Sequence, residues 1–464
     1  AVLGEIGSHG SAGEPAGAGV LVLVPERRDV EVLSRLLTRR GLPVASLPED
    51  WAAAAAGGRL VVAARAGAFA PTADLRAVVV LDAHDESYRE TRAPTWSAPV
   101  VLLERARRAG VPALLVSSCP CLDLHGLAAL VSAERSVERA GWPPLEVIDR
   151  RSEDPRSGRY SPRLAELIRG ARRAAPELAV VCVLNRTGRI RLLACDACGE
   201  VGRCEACGAA LHEPTSAATG GSGPTVLRCP SCSSTRPRVC ATCGSARLKR
   251  LRVGTAGAAE ELASLTGLEV REVTAREEIS LAGSGPGSGS APGLLVGTEA
   301  VLRRVRSASL VVFLDLDDEL LAPRLRAGEQ AFALLARAAR LVGGRGPGSG
   351  RGPVVVQTRL PDHEVVRAAL HGDAAILERA ELERRSRLAL PPFAALALLS
   401  GADAGELAER LRSAGLQAGP VATGGSAGAA RLVRASDPAT LAGALEAAGS
   451  DALDVRVEVD PIGV

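Results

Sequence analysis

Four cysteine pairs with the spacing Cys-x-x-Cys lie within one short stretch of the chain, and they constrain its fold more than any other feature. The pairs are Cys195 and Cys198, Cys204 and Cys207, Cys229 and Cys232, and Cys240 and Cys243. Such a turn directs two thiolates at one metal ion, and two turns complete the four-cysteine site that is common for structural zinc. Residues 195–243 are therefore predicted to bind two zinc ions through eight cysteines. Spacing alone leaves three pairings of the turns open.

The cysteines have possible roles other than zinc binding. Disulfides or redox Cys-x-x-Cys motifs are the main alternative, and they are uncommon in cytosolic proteins. His212 could replace one cysteine ligand, while Cys119, Cys121 and Cys182 are predicted to be small core or loop residues. A closed four-cysteine site leaves no open coordination position. The module is therefore predicted to be structural and not catalytic.

Outside this module, apolar runs separated by helical patterns predict an α/β protein with two parallel sheets. For the first lobe the predicted elements are strands near 19–26, 59–64, 77–82 and 113–117, with helices over 29–42 and 100–109. For the second lobe they are strands at 178–184, 293–296, 310–315 and 353–357. The cysteine module is inserted into the second lobe. Glycine-rich loops are predicted at 283–293 and 343–353, and a small α/β domain from about Phe393.

Charge and composition limit the functional classes. The chain has 56 Lys and Arg against 53 Asp and Glu, a formal charge of +3, which indicates no global polyanion partner. Lys249 is the single lysine and follows Arg247 and Leu248, so no Walker A loop is present in this sequence. No apolar run reaches the ~18 residues that cross a bilayer, which predicts a cytoplasmic protein with no membrane partner. The absence of methionine predicts an incomplete or processed N-terminus.

The cysteine region, introduced by VLNRTGRIRLLACDACG and ending in CATCGSARLKRLRVGTAGAAEEL, resembles the zinc module of the primosomal replication-restart helicases of superfamily 2, the PriA family. The likeness covers nearly the whole chain from about residue 19. Similar segments are VLVLVPE at 20–26 (motif Ia), VVVLDAHDESYRE at 78–90 (motif II), SSCPC at 117–121 (motif III), GTEAV at 297–301, LDLDDELLAPRLRAGEQAF at 314–332 and LPPF at 390–393.

This resemblance implies a domain layout and a pairing of the cysteines. The layout is a first RecA-like helicase lobe at 1–135 that is incomplete at its N-terminus, the start of a second lobe at 136–190, the zinc module at 191–250, the rest of the second lobe at 251–392 and a C-terminal domain at 393–464. The family's zinc sites are nested. By resemblance, Cys195, Cys198, Cys240 and Cys243 hold one zinc, and Cys204, Cys207, Cys229 and Cys232 hold the other.

Residues that drive ATP hydrolysis in this family are altered here. The motif II segment keeps Asp82, but Ala83 and His84 stand where acidic residues are expected, and Asp85 stands where the family has histidine. A magnesium-binding carboxylate pair is thereby lost, and Asp82 is predicted instead to cap a turn.

The second lobe shows a similar loss. The family's motif VI glutamine and first arginine align with Ala338 and Val342, and only Arg345 is retained. With the missing lysine and the altered motif III, these changes predict an inactive ATPase and speak against ATP as a cofactor.

Taken together, the resemblance implies a nucleoid-associated replication-restart protein that binds forked or branched DNA and single-stranded DNA. Expected partners are single-stranded DNA-binding protein and primosome or helicase-loading proteins. The chain has nine aromatic residues, so arginine contacts to the DNA backbone are favoured over base stacking. Two alternatives stay open: an active ATP-dependent 3′–5′ DNA helicase whose P-loop lies upstream, and a zinc-ribbon scaffold of RNA metabolism or transcription that binds nucleic acid.

Overall fold

The computed structural model describes most of the chain as two compact units. One unit comprises residues 1–130 with 389–461, and the other comprises 131–388 with 462–464. The described residues are 19–151, 160–184, 192–213, 226–229, 232, 234–250, 257–273, 293–322, 324–343, 352–421, 430–450 and 453–462. Arg345 and nearly all of the two predicted glycine-rich loops lie outside these ranges. Within them, no helix combines the length and the apolar character needed to cross a membrane.

A five-stranded parallel sheet forms the core of the first unit. Its elements before residue 130 are β1 (Val20–Leu23), α1 (Arg27–Arg39), β2 (Val44–Ser46), α2 (Trp51–Ala55), β3 (Leu60–Ala63), β4 (Ala77–Val80), β5 (Arg89–Glu90), β6 (Trp96–Ser97), α3 (Ala98–Ala109) and β7 (Ala113–Leu115). The strand order is β2-β3-β1-β4-β7, and β5 with β6 forms a small hairpin. Strands β1, β3 and β4 are buried on both faces, since alternate residues pack toward α1 and toward α3.

A six-stranded parallel sheet in the order β14-β15-β9-β16-β17-β8 forms the core of the second unit. The unit contains, in chain order, α4 (Arg135–Gly141), β8 (Leu145–Asp149), α5 (Pro162–Ala174), β9 (Ala179–Val183), β10 (Leu193–Cys195), β11 (Val226–Arg228), β12 (Thr235–Pro237), β13 (Leu248–Arg250), α6 (Ala258–Thr266), β14 (Val270–Val273), β15 (Leu294–Gly297), α7 (Val301–Arg304), β16 (Ala308–Phe313), α8 (Asp317–Leu320), α9 (Ala327–Val342), β17 (Val354–Thr358), α10 (Glu364–His371) and α11 (Ala374–Arg387). Helices α5 and α6 pack on one apolar face, and α9 contacts β16 and β17. The cysteine module, β10 to β13, is inserted between β9 and α6.

The C-terminal segment forms a four-stranded antiparallel sheet in the order β19-β20-β18-β21. Its elements are β18 (Ala395–Ser400), α12 (Ala404–Ser413), β19 (Gln417–Pro420), β20 (Arg431–Ala435), α13 (Pro438–Ala447) and β21 (Arg456–Val459). The succession βαββαβ with this strand order is the ferredoxin-like arrangement. Both helices pack on one apolar face of the sheet.

The predicted fold class is confirmed: the protein is α/β, with two parallel sheets, an inserted cysteine module and a small C-terminal α/β segment. All eight strands predicted for the two parallel sheets are present.

Candidate metal centre

Each of the four cysteine pairs folds into the same local turn. The backbone N–H of the first cysteine donates to the carbonyl five residues later at 2.8 Å, in the pairs Cys195 to Glu200, Cys204 to Ala209, Cys229 to Ser234 and Cys240 to Ser245. In three turns a glycine follows the second cysteine with a positive φ, namely Gly199 (73°), Gly208 (78°) and Gly244 (71°). Glycine adopts this conformation without the steric penalty that a Cβ brings. The recurring sequence pattern thus encodes four copies of one chelating turn.

The four turns combine into two groups of four sulfurs. The outer site consists of Cys195, Cys198, Cys240 and Cys243, and the inner site consists of Cys204, Cys207, Cys229 and Cys232. In the outer site the Sγ atoms of Cys195 and Cys243 are 3.5 Å apart, and those of Cys198 and Cys240 are 3.6 Å apart. In the inner site Cys204 and Cys232 are 3.5 Å apart, and Cys207 and Cys229 are 3.4 Å apart.

These distances fit zinc. Four sulfurs at ~2.3 Å from a tetrahedral zinc ion lie roughly 3.8 Å from one another, and all four ligand atoms of each site lie within 4.8 Å of one another. All eight cysteines are free, which excludes disulfides between them in this structure. Each site could therefore hold one zinc ion. The nested grouping expected from the family resemblance is confirmed.

The thiols of the outer site lie close enough to alter one another's pKa. Burial opposes ionisation of Cys195, but the N–H groups of Cys198 and Ala197 outweigh it and lower the pKa of this thiol to about 7. The pKa of Cys198 rises to about 12: the N–H of Glu200 lowers it, but burial and hydrogen bonds shared with neighbouring thiols prevail. The neighbouring thiols thus influence one another's ionisation through shared hydrogen bonds. A divalent ion would favour their thiolate form.

A small apolar cluster surrounds the inner site. Leu193, Leu211 and Leu227 are almost fully buried against Cys204 and Cys229. The hydroxyl of Ser234 lies 3.0 Å from the Cys204 sulfur and 3.2 Å from the Cys232 sulfur. Sequence reasoning missed Ser234, because nothing in its spacing marks it as a neighbour of the sulfurs.

The outer site is held by backbone pairing and by one arginine. Strands β10 and β13 pair antiparallel, so Cys195 lies opposite Leu248. Arg238 donates from Nε to Glu213 at 2.7 Å, from Nη1 to the Ala246 carbonyl at 2.8 Å and from Nη2 to the Leu248 carbonyl at 3.1 Å. Cys243 is solvent-exposed, in contrast to every cysteine of the inner site. The outer site is therefore the more accessible of the two.

The remaining candidate ligands belong to neither four-cysteine group. The backbone of His212 pairs with Arg228, and burial lowers the pKa of its imidazole. It belongs to neither four-cysteine group. Cys182 is a core residue of β9, and burial raises its pKa to about 12. Cys119 is buried and Cys121 half-buried in the loop after β7.

The motif II segment lies at the carboxyl end of β4. Asp82 has a φ of 48°, and its carbonyl accepts a hydrogen bond from the Asp85 N–H. The Asp85 carboxylate is engaged with the Ser87 N–H at 3.0 Å. Between them, the Ala83 side chain is buried and the His84 Nδ1 lies 2.9 Å from the Ser117 hydroxyl. Asp82 thus takes part in a local turn through its backbone carbonyl, and Asp85 takes part through its carboxylate.

The motif VI positions lie on α9. Ala338 and Val342 are both buried in the apolar interior of the second unit. Neither side chain can donate a hydrogen bond to a phosphate. Arg345, the remaining family arginine, lies outside the described residues.

Comparison with known proteins gives a consistent set of relatives. No family model matches the chain. The probable replication restart protein PriA of Mycobacterium leprae is 32% identical over 416 residues, covering 83% of this chain and 60% of the relative. Replication restart protein PriA of Bacillus subtilis is 28% identical over 360 residues, with coverages of 74% and 43%. The Synechocystis protein of the same name is 27% identical over 419 residues, with coverages of 82% and 49%.

Among solved structures, Mycobacterium smegmatis helicase Lhr bound to ssDNA and AMP-PNP aligns with a TM-score of 0.31 and 13% identity over 95% of this chain and 55% of its own. That likeness is too distant to support a conclusion. The chain spans between 43% and 60% of the length of the three curated relatives. Over about four fifths of its length, the chain is thus similar to proteins named as PriA replication restart proteins.

Proposed function

We propose that this chain is a replication-restart protein that binds stalled or branched DNA and recruits the replication machinery without a motor of its own. The observation that carries the proposal is its similarity, over 83% of its length, to a protein named as a probable replication restart factor. The nested four-cysteine groups support it, because they reproduce the arrangement expected for the zinc module of that family.

Zinc binding by the outer and inner sites is part of the proposal. Each site has four thiols, which fill the coordination of a tetrahedral zinc ion and leave no open position for a reactive water, and this suits a structural role. Loaded with zinc, the module would be a rigid surface. It would present its exposed arginines, together with Lys249, to DNA or to a partner protein.

The proposed lack of a motor rests on named residues. Lys249, the single lysine, lies in the cysteine module and pairs with Asp196 at 3.1 Å, so this sequence supplies no lysine for phosphates at the end of a sheet strand. At the end of β4, His84 contacts Ser117 and the Asp85 carboxylate caps a turn. Magnesium and phosphate chemistry needs paired carboxylates and a lysine. We infer that the two parallel sheets act as scaffold lobes.

DNA contact is proposed to be electrostatic. With 2% aromatic residues the chain offers few stacking platforms, whereas almost all of its 56 cationic side chains are arginines that can donate to phosphates. Affinity for forked DNA should therefore fall steeply as salt rises. The proposed partners are single-stranded DNA-binding protein and helicase-loading proteins, and the proposed location is the nucleoid. The domain boundaries near residues 135, 190, 250 and 392 remain part of this proposal.

The deciding experiment measures ATP hydrolysis by the purified full-length protein, with and without forked DNA. A fork-binding titration on the same sample uses plain duplex as the control. The proposal expects fork binding tighter than duplex binding, with no hydrolysis above a protein-free blank. DNA-stimulated hydrolysis would instead support an active helicase whose P-loop lies upstream. A preference for RNA over forks would support a scaffold of RNA metabolism.

A further inference from the structure

Two loops at the edge of the first parallel sheet bring together side chains that bind metals. Strands β4 and β7 are parallel neighbours, with Val80 opposite Leu115, so their carboxyl ends meet at the same edge. The Ala83 N–H donates to the Val116 carbonyl at 2.9 Å, which keeps the two following loops side by side. In open α/β sheets this edge is where ligands bind.

The hydroxyl of Ser117 is the centre of this cluster. Its Oγ lies 2.9 Å from His84 Nδ1, 3.3 Å from Cys121 Sγ and 3.8 Å from Cys119 Sγ. The same hydroxyl donates to the Cys119 carbonyl at 2.6 Å and lies 3.2 Å from the Cys119 N–H. The Ser117 Oγ is thus surrounded by the thiols of Cys119 and Cys121 and by the imidazole of His84.

We propose that His84, Cys119 and Cys121 form a third metal site, selective for a thiophilic divalent cation such as Zn²⁺. Two cysteines and one histidine are a ligand set that zinc accepts, with a fourth position left for water or a hydroxyl. The cation replaces Ser117 as the centre of the cluster. The step is a ligand exchange in which each thiol releases its proton to solvent on binding.

The third site differs from the outer and inner sites in how far it is preformed. Within the described residues, only the two four-cysteine groups have all ligand atoms within 4.8 Å of one another. The donors around Ser117 must therefore close around the ion. Binding at the third site is weaker and exchangeable, while the four-cysteine sites retain their zinc. This proposal is independent of the replication-restart function.

The test counts metal on the full-length protein. Exchangeable metal is first removed with a mild chelator, and the tightly held zinc is measured. The protein is then titrated with Co²⁺ or Cd²⁺ under reducing conditions while thiolate-to-metal charge-transfer absorption is followed. Wild type is expected to bind one further ion per chain with a sulfur-containing spectrum. The double variant C119S/C121S is expected to lose that ion and to keep its tightly held zinc.

Two further variants separate ligation from simple loss of a thiol. His84→Gln should weaken the additional ion by about tenfold or more, because losing even an outer-shell partner costs about 10- to 100-fold in affinity. Cys182→Ala removes a core thiol in the other unit and should leave the additional ion unchanged. The proposal is wrong if wild type takes up no further ion, or if C119S/C121S takes it up equally well. Failure of zinc retention at the four-cysteine sites would appear separately, in the first zinc count.

Discussion

The inner and outer sites have the same ligands and the same turns, but they are stabilised differently. The inner cysteines belong to a small core with Leu193, Leu211 and Leu227. The outer cysteines are linked by the β10–β13 pairing and by Arg238, and Cys243 is exposed. Identical spacing in the sequence therefore produces two different surroundings. The inner site is part of a small hydrophobic core, whereas the outer site joins the first and last strands of the module, β10 and β13.

This difference implies that the stability of one zinc site depends on the other more than the reverse. Leu193 packs in the inner cluster and lies two residues before Cys195, so the inner core helps to position the first outer ligand. Cys243 is exposed, and it is not among the residues described as packing in the inner cluster. The outer site should therefore depend on the inner site more than the inner site depends on the outer.

The largest expected effect is that of Cys229→Ser in the inner site. Cys229 is fully buried, so the variant loses a ligand inside the apolar cluster. Structural zinc contributes about 10–16 kcal/mol to the folding of small zinc domains, so the module should unfold and release both ions. Zinc content per chain and limited proteolysis of the module measure this outcome. Retention of one zinc ion by an intact outer site would break the proposed order of dependence.

Cys243→Ser in the outer site should have a smaller effect. The changed side chain is exposed, and the inner cluster keeps all of its apolar contacts. We expect zinc to fall by one ion per chain while the inner site stays folded. The same zinc count and proteolysis pattern provide the measurement. Loss of both ions would show that the two sites depend on each other equally.

Arg238→Gln tests whether the hydrogen bonds of Arg238 to Glu213 and to the Ala246 and Leu248 carbonyls stabilise the outer site. Each charge-assisted hydrogen bond contributes about 1.5–3 kcal/mol, less where water competes, so the outer zinc should pass to a chelator several-fold faster. Release from the inner site should change little. Lys249→Gln is the matched control, because its ion pair with Asp196 is exposed and worth about 0–1 kcal/mol. If Arg238→Gln accelerated zinc release from the inner and outer sites equally, Arg238 would not act specifically on the outer site.

The smallest effects come from the turn glycines. Gly208 and Gly244 have φ values of 78° and 71°, and open space surrounds the position where a Cβ would be. Alanine at either position should cost about 1–2 kcal/mol through the backbone alone. Gly208→Ala should destabilise the whole module, whereas Gly244→Ala should weaken only outer-site zinc. Thermal unfolding, followed together with zinc release, distinguishes the two variants. If both variants unfolded and released zinc in the same way, the proposed difference between the inner and outer sites would be wrong.

The central strands of the fold were predictable, and the edges largely were not. β1, β3, β4, β9, β15 and β16 are buried on both faces and appear in the sequence as unbroken apolar runs. The sequence interpretation missed β2, β8 and β14, which all lie at sheet edges. An edge strand needs apolar residues on fewer sides, so its composition resembles that of a loop.

The candidate site shows the same limit. Cysteine spacing picked out all eight cysteines of the two four-cysteine groups, but the pairing of turns is a long-range property that spacing does not contain. It came from the family resemblance. The contacts of Ser234 with the inner sulfurs and of Ser117 with His84 join segments that are brought together only by folding. For that reason a pattern search along the chain does not find them.

The most direct test of the account is zinc analysis of the full-length protein after exchangeable metal has been removed, combined with zinc-edge X-ray absorption. The account predicts two zinc ions per chain, each coordinated by four sulfur atoms and by no nitrogen. A single ion, or a nitrogen ligand from His212, would contradict the nested four-cysteine arrangement on which the comparison depends.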